Sequence, residues 1–290
     1  MDAISVAVTR GNVVEARHRV HAAVVRTGRT VEAAGDAGLV SFLRSAAKPL
    51  QALLLVRAVP GIPDEELALA AASHGARPEQ LRVVRALLAR ARANENDLEC
   101  GAVEGSRLRH NCSGKHAGML CVCEARGWPK QGYRLPDHPV QHEIGAIVSD
   151  AVGLPSGEIP TAADGCGVVT WAVSLERAAA AFARLASGEL DGAGRVCDAL
   201  RAYPDLVEGP GSAATEAMKA VPGAVAKGGA EGLLCIGLRD GSGIALKVED
   251  GAGRATGPAA GSLLGITALA EAPVFNSRDE PVGTILAAEP

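Results

Sequence analysis

The chain has 290 residues, which is enough to bury a full hydrophobic core in one large domain or two smaller ones. Apolar residues make up 48% and charged residues 21%, and a net charge of −4 argues against a nucleic-acid-binding protein. No apolar run approaches the roughly 18 residues of a membrane span. Because the first residues do not resemble a signal peptide, the seven cysteines are expected to be reduced thiols or metal ligands in a cytoplasmic protein.

The first 45 residues are predicted to form an antiparallel meander. β-Favouring segments lie at residues 4–9, 19–25 and 37–43, and turn residues separate them. After Pro49 the pattern changes, because leucines then recur at helical spacing. Helices are predicted to begin at about residues 49, 63, 78, 114 and 138.

The second half of the chain is predicted to begin with helices and to return to strands. The expected elements are helices at 170–186 and 191–203, strands at 221–227, 232–238 and 243–248, a helix at about 257–271, and a loose tail. The segment Arg239-Asp240-Gly241-Ser242-Gly243 between the last two strands is typical of a hairpin turn.

Strands at both ends of the chain and helices between them indicate an α+β fold. A single antiparallel sheet would be assembled from about residues 1–45 and 220–270, and it would enclose a helical lobe of about residues 46–215. No repeat or low-complexity linker marks a boundary, so residues 1–290 are expected to form a single catalytic domain.

The segment Arg44-Ser45-Ala46-Ala47-Lys48-Pro49 places a hydroxyl and an amine three residues apart. On one helical turn Ser45 and Lys48 would share a face, which is the minimum equipment for nucleophilic acyl chemistry if the amine is neutral. S-x-x-K occurs in serine β-lactamases and penicillin-binding proteins, but an ordinary helix start has the same pattern. Because Pro49 disfavours helix at Lys48, the turn is expected to be tight or 3₁₀-like.

Two further segments carry groups that suit the same chemistry. At Ser73-His74-Gly75 a predicted helix ends, and the serine either caps the helix or reacts. Its histidine neighbour is a poor catalytic partner, because adjacent residues on a helix do not face each other. Lys227-Gly228-Gly229 follows a predicted strand and resembles the Lys-x-Gly element on the sheet edge of S-x-x-K enzymes, although a charged turn residue would look the same.

The segment His110–Gly118 concentrates reactive groups. Cys112, Lys115 and His116 would share one helical face at the i, i+3, i+4 spacing. The alternative is that Cys112 is a small buried hydrophobe and Lys115 a surface charge. The two glycines of the segment favour a functional role, because glycine lowers helix propensity with no evident gain in packing.

The segment Asp164-Gly165-Cys166-Gly167 carries a cysteine between two glycines. The glycines would let the backbone fold tightly around an exposed cysteine or present amides to an anion. Cys112 and Cys166 could share a soft cation, since thiolates favour zinc. The spacing of these cysteines is not that of a zinc finger, so spacing alone leaves zinc as one alternative.

These segments occur together in a known family. The motifs are Arg10-Gly11 with Glu15-x-x-His18, Arg44-Ser-x-x-Lys-Pro-Leu-Gln51, Ser73-His74, His110-Asn-Cys-Ser-Gly-Lys-His116, His138-Pro-x-Gln141, Asp164-Gly-Cys-Gly167 and Lys227-Gly-x-Ala-Glu-Gly232. In this order, and over nearly the whole chain, the sequence resembles the asparaginase II family, the Rhizobium-type L-asparaginases. One departure is Gly209-Pro210-Gly211-Ser212, where the family would have a Gly-x-x-Arg segment, and this departure bears on substrate preference.

The resemblance implies a fold similar to serine β-lactamases and glutaminases, and a hydrolase of asparagine catabolism. It implies that Ser45 is the nucleophile with Lys48 as its partner, and that Ser73 and Lys227 form a second Ser–Lys pair. It further implies one zinc ion per chain, and a homodimer. The residues that match zinc-holding positions are Cys112, Lys115 and Cys166, and those expected near the substrate are Arg44, His116 and Asp164.

The predicted activity is conversion of L-asparagine to L-aspartate and ammonia through a serine acyl-enzyme. Related serine hydrolases that act on glutamine or on a β-lactam would use the same groups. A protein that senses zinc or redox state through the same cysteines, with inactive catalytic positions, is a further alternative from a different class. Neither nucleic acid nor a membrane is expected as a partner.

Overall fold

The structure is a computed structural model that describes residues 1–288. Its strands are β1 (Ile4–Arg10), β2 (Val13–Arg26), β3 (Arg29–Ala34), β4 (Val40–Phe42), β5 (Thr161–Ala163), β6 (Val169–Ser174), β7 (Val225–Gly229), β8 (Leu233–Gly237), β9 (Ser242–Val248), β10 (Glu271–Phe275) and β11 (Pro281–Ala287). Its helices are α1 (Lys48–Ala58), α2 (Asp64–Ala70), α3 (Pro78–Arg90), α4 (Ser113–Arg126), α5 (Pro139–Val152), α6 (Leu175–Ala186), α7 (Ala193–Ala202), α8 (Pro204–Val207), α9 (Ala213–Ala220), α10 (Thr256–Leu264) and α11 (Thr267–Ala270).

A large antiparallel sheet joins the two ends of the chain. Its strand order is β10-β11-β1-β2-β9-β8-β7, and β3 pairs with the far end of the long strand β2. The register places Val20 opposite Val248 and Lys227 opposite Cys235. Strand β7 therefore lies at one edge of the sheet, and its free side is available to the helical region.

Helix α6 packs on one face of the large sheet because both surfaces are lined by small residues. Its buried face includes Ala178, Ala179 and Ala183, and it contacts strands β2, β8 and β9. Opposite them, Gly237 and Gly243 carry no side chain, and a Cβ at Gly243 would overlap the carbonyl oxygen of Ala179. The helix thus approaches the sheet more closely than larger side chains would allow.

The other helices lie either against the large sheet or in a separate helical lobe. Helices α9 and α10 contact strands of the sheet, and α11 packs against both of them and β10. Helices α1 to α5, with α7 and α8, form the lobe between the N- and C-terminal strands. In the described residues no helix combines the length and the apolar character that a bilayer crossing requires.

The α+β fold, with an antiparallel sheet from both ends of the chain and a helical lobe between them, is confirmed. The hairpin between β8 and β9 and the boundaries of α3, α4 and α5 agree with the sequence prediction to within a few residues.

Three predicted elements were wrong. Residues 271–287 are not a loose tail but the edge hairpin β10–β11, which extends the sheet beyond residue 270. Residues 169–174 are strand β6 and not the start of a helix, because Thr170, Trp171 and Val173 form a buried strand. Strand β4 leaves the meander and pairs with β6 in a separate sheet of order β4-β6-β5.

Replacing Gly243 with alanine tests the close contact between α6 and the sheet. The added methyl group would overlap the backbone of α6, so G243A is expected to lower the free energy of unfolding by about 2–3 kcal/mol. Gly145 in α5 is the matched control, since nothing lies within 4 Å of its Cβ position, and G145A should stabilise the protein by up to about 1 kcal/mol. Urea denaturation measures both variants. Equal effects of the two substitutions would contradict the proposed contact.

Candidate active site

Ser45 lies in a tight turn at the start of α1. Residues Arg44–Ala47 form one turn of 3₁₀-helix, and the regular helix begins at Lys48 with Pro49 in its first turn. Arg44 has a positive φ of 48°, and its backbone N–H donates to Thr170 Oγ1 at 3.0 Å. The prediction of a tight entry turn is confirmed, and the rare backbone conformation at Arg44 is held by a contact from β6.

Lys48 is completely buried and connects three segments of the lobe. Its Nζ donates to the carbonyl of Ala72 at 2.6 Å, to Ser73 Oγ at 2.9 Å and to the carbonyl of Asn111 at 3.5 Å. Ser45 is not among these hydrogen-bond partners. The amine of the S-x-x-K motif therefore contacts the serine that the sequence assigned to the second pair.

Burial is the main reason that the pKa of Lys48 falls to about 8. Lys227 and Lys115 lower this pKa further, while the negative charge on Cys112 raises it. Near neutral pH a small but useful fraction of the amine is therefore unprotonated.

Lys227 is also completely buried, but its partner is a carboxylate. It lies on β7, and its Nζ forms an ion pair with Glu208 and donates to the carbonyl of Gly228 at 2.8 Å. Ser73 and Lys227, the second Ser–Lys pair that the resemblance implies, make no hydrogen bond to each other in the described residues. Ser73 instead accepts from Lys48, so the two lysines are neighbours with different partners.

Glu208 is a site residue that the sequence interpretation missed. Its Oε1 also accepts from the backbone N–H of Gly228 at 2.8 Å, on the free edge of β7. Burial raises the pKa of this carboxyl, but Lys227 and the Gly228 N–H lower it by more, so its pKa lies below the usual range. The only signal in the sequence was its place beside the atypical segment Gly209-Pro210-Gly211-Ser212.

Three consecutive backbone carbonyl groups just before Glu208 accept hydrogen bonds, and these bonds fix this part of the chain. The backbone N–H of Ser73 donates to the carbonyl of Val207 at 2.7 Å. Gln80 donates to the carbonyl of Leu206 at 3.2 Å, and Arg77 donates to that of Asp205. Glu208 is thereby held between Ser73 and Lys227.

His74 does not act with its neighbour Ser73. Its Nδ1 accepts from the N–H of Ala76 at 3.1 Å, so its Nε2 carries the proton and donates to Ser113 Oγ at 2.8 Å. The Ser113 hydroxyl in turn donates to the carbonyl of Leu108. The doubt about a Ser–His pair is confirmed, because both ring nitrogens serve a structural network.

Arg44 and Asp164 form an ion pair beside the entry turn. The same oxygen of Asp164 accepts from the N–H of Gly165 at 2.7 Å. Arg44 is partly exposed and Asp164 is nearly buried. Two of the three residues predicted near the substrate therefore meet in space.

His116, the third residue predicted near the substrate, is fully buried. Its Nδ1 is 2.7 Å from the hydroxyl of Tyr133, which accepts from the N–H of Glu99. Burial lowers the pKa of His116 far below its usual value, so the ring is neutral. Its Nε2 has no hydrogen-bond partner within residues 1–288.

The two glycines in the segment of reactive groups have a packing role. A Cβ at Gly114 would overlap the carbonyl oxygen of Leu69 on α2, and one at Gly118 would lie 3.0 Å from the Cβ of Ala70. The interpretation that they bring no packing gain was wrong, because they let α4 lie close against α2. This close approach brings Cys112, just before α4, near Lys48.

The side chains of Cys112, Lys115 and Cys166 lie close to one another and near Lys48. All three are nearly buried, and Lys115 Nζ lies 3.0 Å from Cys166 Sγ. Interaction between the two thiol groups lowers the pKa of Cys112 and raises that of Cys166. All seven cysteines of the chain are unbridged and buried.

This trio fits a soft metal ion by the chemistry of its donors. Two sulfurs and a nitrogen in a dry site are ligands that zinc accepts, provided that the Cys166 thiol and the Lys115 ammonium lose their protons. Within residues 1–288 there is no group of three or more histidine, cysteine or carboxylate side chains placed to hold a metal. A metal bound by Cys112 and Cys166 would therefore need Lys115 as its third ligand.

A buried amine of lowered pKa that contacts a serine hydroxyl is typical of hydrolases that act by acyl transfer. The family described as L-asparaginase II matches residues 6–285, nearly the whole chain. The chain belongs to the L-asparaginase II family.

Solved structures give only a distant likeness. A crystal structure of Mglu in its native form, in the presence of 4.3 M NaCl, is 17% identical with a TM-score of 0.36. The match covers 80% of this chain and 56% of Mglu, so the chain spans little more than half the length of that protein. A likeness at this TM-score carries no functional inference. No curated protein matches the sequence.

The network around His74 predicts a pH-dependent stability. Burial and the nearby charge of Lys48 lower the pKa of His74 from 6.5 to about 4 in the folded protein. The neutral, buried His74 ring therefore contributes to the free energy of unfolding above pH 6.5. This contribution is lost as the pH falls towards 4, because the unfolded chain binds the proton first. The loss is about 3 kcal/mol.

His74→Gln keeps a donor for Ser113 and an acceptor for the Ala76 N–H but cannot titrate. Urea denaturation at pH 7 and at pH 4 should therefore show a smaller loss of stability for H74Q than for the unchanged protein. Parallel losses for the two proteins would contradict the assigned role.

Proposed function

We propose that the protein hydrolyses the side-chain amide of L-asparagine to L-aspartate and ammonia. The observation that carries this proposal is the buried Lys48 amine, which contacts Ser73 and has a pKa of about 8 next to the turn that holds Ser45. Such an amine can accept a proton from a serine near neutral pH. Membership of the L-asparaginase II family supports the choice of an amide substrate.

In the proposed first step, Ser45 attacks the amide carbon and its proton passes to neutral Lys48. Lys48 contacts Ser73, so Ser73 is placed to relay this proton to the departing ammonia. Lys227 remains paired with Glu208 and supplies a positive charge beside the reacting groups. A water molecule then attacks the acyl-enzyme, and the same groups transfer protons in the opposite direction.

The negative charge that develops on the substrate oxygen requires hydrogen-bond donors. The backbone amides of Ser45 and of the residue after Gly228-Gly229 are proposed to form this oxyanion hole. Gly229 brings the two segments together, since a Cβ there would lie 2.9 Å from the carbonyl oxygen of Leu43. One such donor is worth about 3 kcal/mol of transition-state stabilisation.

Arg44, Asp164 and His116 are proposed to serve substrate binding at different depths. Arg44 is the partly exposed member, and its guanidinium can pair with the α-carboxylate of an amino acid. Asp164 fixes the direction of Arg44 through their ion pair. The buried His116 contacts the hydroxyl of Tyr133 and does not reach the solvent.

Cys112, Lys115 and Cys166 are proposed to hold one zinc ion. A zinc ion with two thiolates and an amine is electron-rich and a weak activator of water, so it would contribute shape or substrate orientation. The trio itself keeps α4 and the loop around Cys166 together through the contact of Lys115 with Cys166. A homodimer and a cytoplasmic location are proposed from the family resemblance and the seven reduced thiols.

A coupled ammonia assay tests the proposed activity. Asparagine should release ammonia, and the same assay with glutamine and a chromogenic β-lactam distinguishes the related hydrolases. Ser45→Ala should lower kcat by about 1000-fold or more, because the nucleophile is lost. Unchanged urea denaturation of S45A is the control for folding. An S45A protein with normal ammonia release would end this mechanism.

Metal removal tests the zinc proposal. The unchanged protein should copurify with about one zinc ion per chain, and Cys166→Ser should lose most of it, as measured by elemental analysis. Cys197→Ser is the control, because Cys197 is equally buried but lies on α7 and donates to the carbonyl of Leu185. Zinc binding should weaken at low pH, where the ligands regain their protons. A protein without zinc and with full activity would remove the metal from the proposal.

A further inference from the structure

Glu208 has one carboxylate oxygen in use and one free. Its Oε1 accepts from Lys227 and from the N–H of Gly228, whereas Oε2 makes no hydrogen bond within the described residues. A Cβ at Gly228 would lie 3.1 Å from Oε2, so the absence of a side chain at this position leaves the oxygen uncovered.

The Glu208 side chain is partly accessible from solvent, while the lysines beside it are not. Lys48 and Lys227 are 0% exposed, but the Glu208 side chain is 16% exposed and lines a cleft of about 670 Å³. The cleft runs between the edge of β7 and helices α9 and α10. A small polar molecule in this cleft can therefore reach Glu208 before it reaches the lysines.

The position of Glu208 is fixed relative to the proposed reaction centre. The preceding residue, Val207, accepts from the backbone N–H of Ser73 at 2.7 Å. On its other side, the ion pair with Lys227 joins Glu208 to the strand that packs against Leu43, two residues before Ser45. Glu208 is thus tied through its neighbour Val207 to the backbone of Ser73, and through its carboxylate to the edge strand β7.

An amino acid amide carries a cationic α-ammonium and an anionic α-carboxylate next to the carbon chain. The carboxylate of Glu208 carries the negative charge that complements the α-ammonium, and the partly exposed Arg44 is the proposed partner of the α-carboxylate. Asp164 is the other carboxylate near Ser45, but it is only 8% exposed and is already paired with Arg44. Of the two, Glu208 is the more accessible acceptor for an ammonium group.

We propose that Glu208 is a specificity residue whose free oxygen binds the α-ammonium of the substrate. This inference rests on the proposed function, and it defines the substrate class as α-amino acid amides with a free amino group. Amides that lack this group are predicted to be poor substrates, because the carboxylate oxygen that faces them would stay without a partner.

The experiment compares asparagine with 3-carbamoylpropanoate, which is asparagine without its α-amino group. The unchanged protein should prefer asparagine by roughly 100-fold or more in kcat/KM. Glu208→Gln keeps an acceptor for the Gly228 N–H but loses the charge, so it should lower kcat/KM for asparagine by roughly 100-fold. The value for 3-carbamoylpropanoate should change much less, so that the preference falls to about tenfold or lower.

Two further variants are measured in parallel. Glu271→Gln removes a carboxylate that lines the same cleft but is exposed and contacts neither Lys227 nor Gly228, so the preference should be unchanged. Asp164→Asn removes the rival carboxylate, and its preference for asparagine should also remain high. Urea denaturation of every variant provides the control for folding.

Several outcomes would overturn the inference. Equal losses for both substrates in E208Q would mean that Glu208 acts only by positioning Lys227, and a collapse of the preference in D164N would assign recognition to Asp164. Hydrolysis of both amides at equal rates by the unchanged protein would overturn it without any variant. No ammonia from asparagine would refute the proposed function itself, and this outcome is separate because it appears before any substitution is made.

Discussion

The burial of the Lys48 amine is the constraint on which the rest of the site depends. An unpartnered ammonium group in a protein interior is costly, and three acceptors from the end of α2 and the start of α4 surround this one. Those contacts fix Ser73 and Asn111 against the turn that carries Ser45. The same burial lowers the pKa of Lys48, so one feature determines both the geometry of the lobe and the protonation of the amine.

The edge strand β7 of the large sheet supplies the other half of the site, because the strand ends in two glycines that other residues can approach closely. Gly228 and Gly229 let Glu208 and Leu43 approach the backbone of β7 closely. Since side chains alternate along a strand, Lys227 and Gly229 face the lobe and Gly228 faces away from it. A single edge strand can therefore carry a buried lysine on one face and accommodate Glu208 at its rim.

Much of the fold and of the site could be predicted from the sequence, but the partners could not. Local patterns can be recognised in the sequence alone. They include the spacing of Ser45 and Lys48, the effect of Pro49 on their turn, and a lysine before two glycines. The contact of Lys48 with Ser73 joins residues 25 positions apart, and that of Lys227 with Glu208 joins residues 19 apart. No periodicity encodes such contacts, so the hydrogen-bond partners that the two lysines have in this structure could not be predicted from the sequence.

The missed strands have a similar explanation. The hairpin β10–β11 contains Pro273 and Gly283, residues that are depleted in strands, and it forms because β1 offers an edge to pair with. Strand β6 follows the same logic, because the alanines after Trp171 favour a helix but β4 and β5 pair on both sides of residues 169–174. Tertiary pairing overrides local preference at both places.

The charges around Lys48 show why a short motif alone does not define the site. Burial, Lys227 and Lys115 lower its pKa, while the thiolate of Cys112 raises it. Cys112 is close enough to exert this effect only because Gly114 and Gly118 allow α4 to pack tightly against α2. The protonation of the amine in S-x-x-K therefore depends first on burial in the lobe and then on charges at the start of α4 and on β7. The reactivity of Ser45 is a property of the assembled lobe and sheet rather than of its own turn.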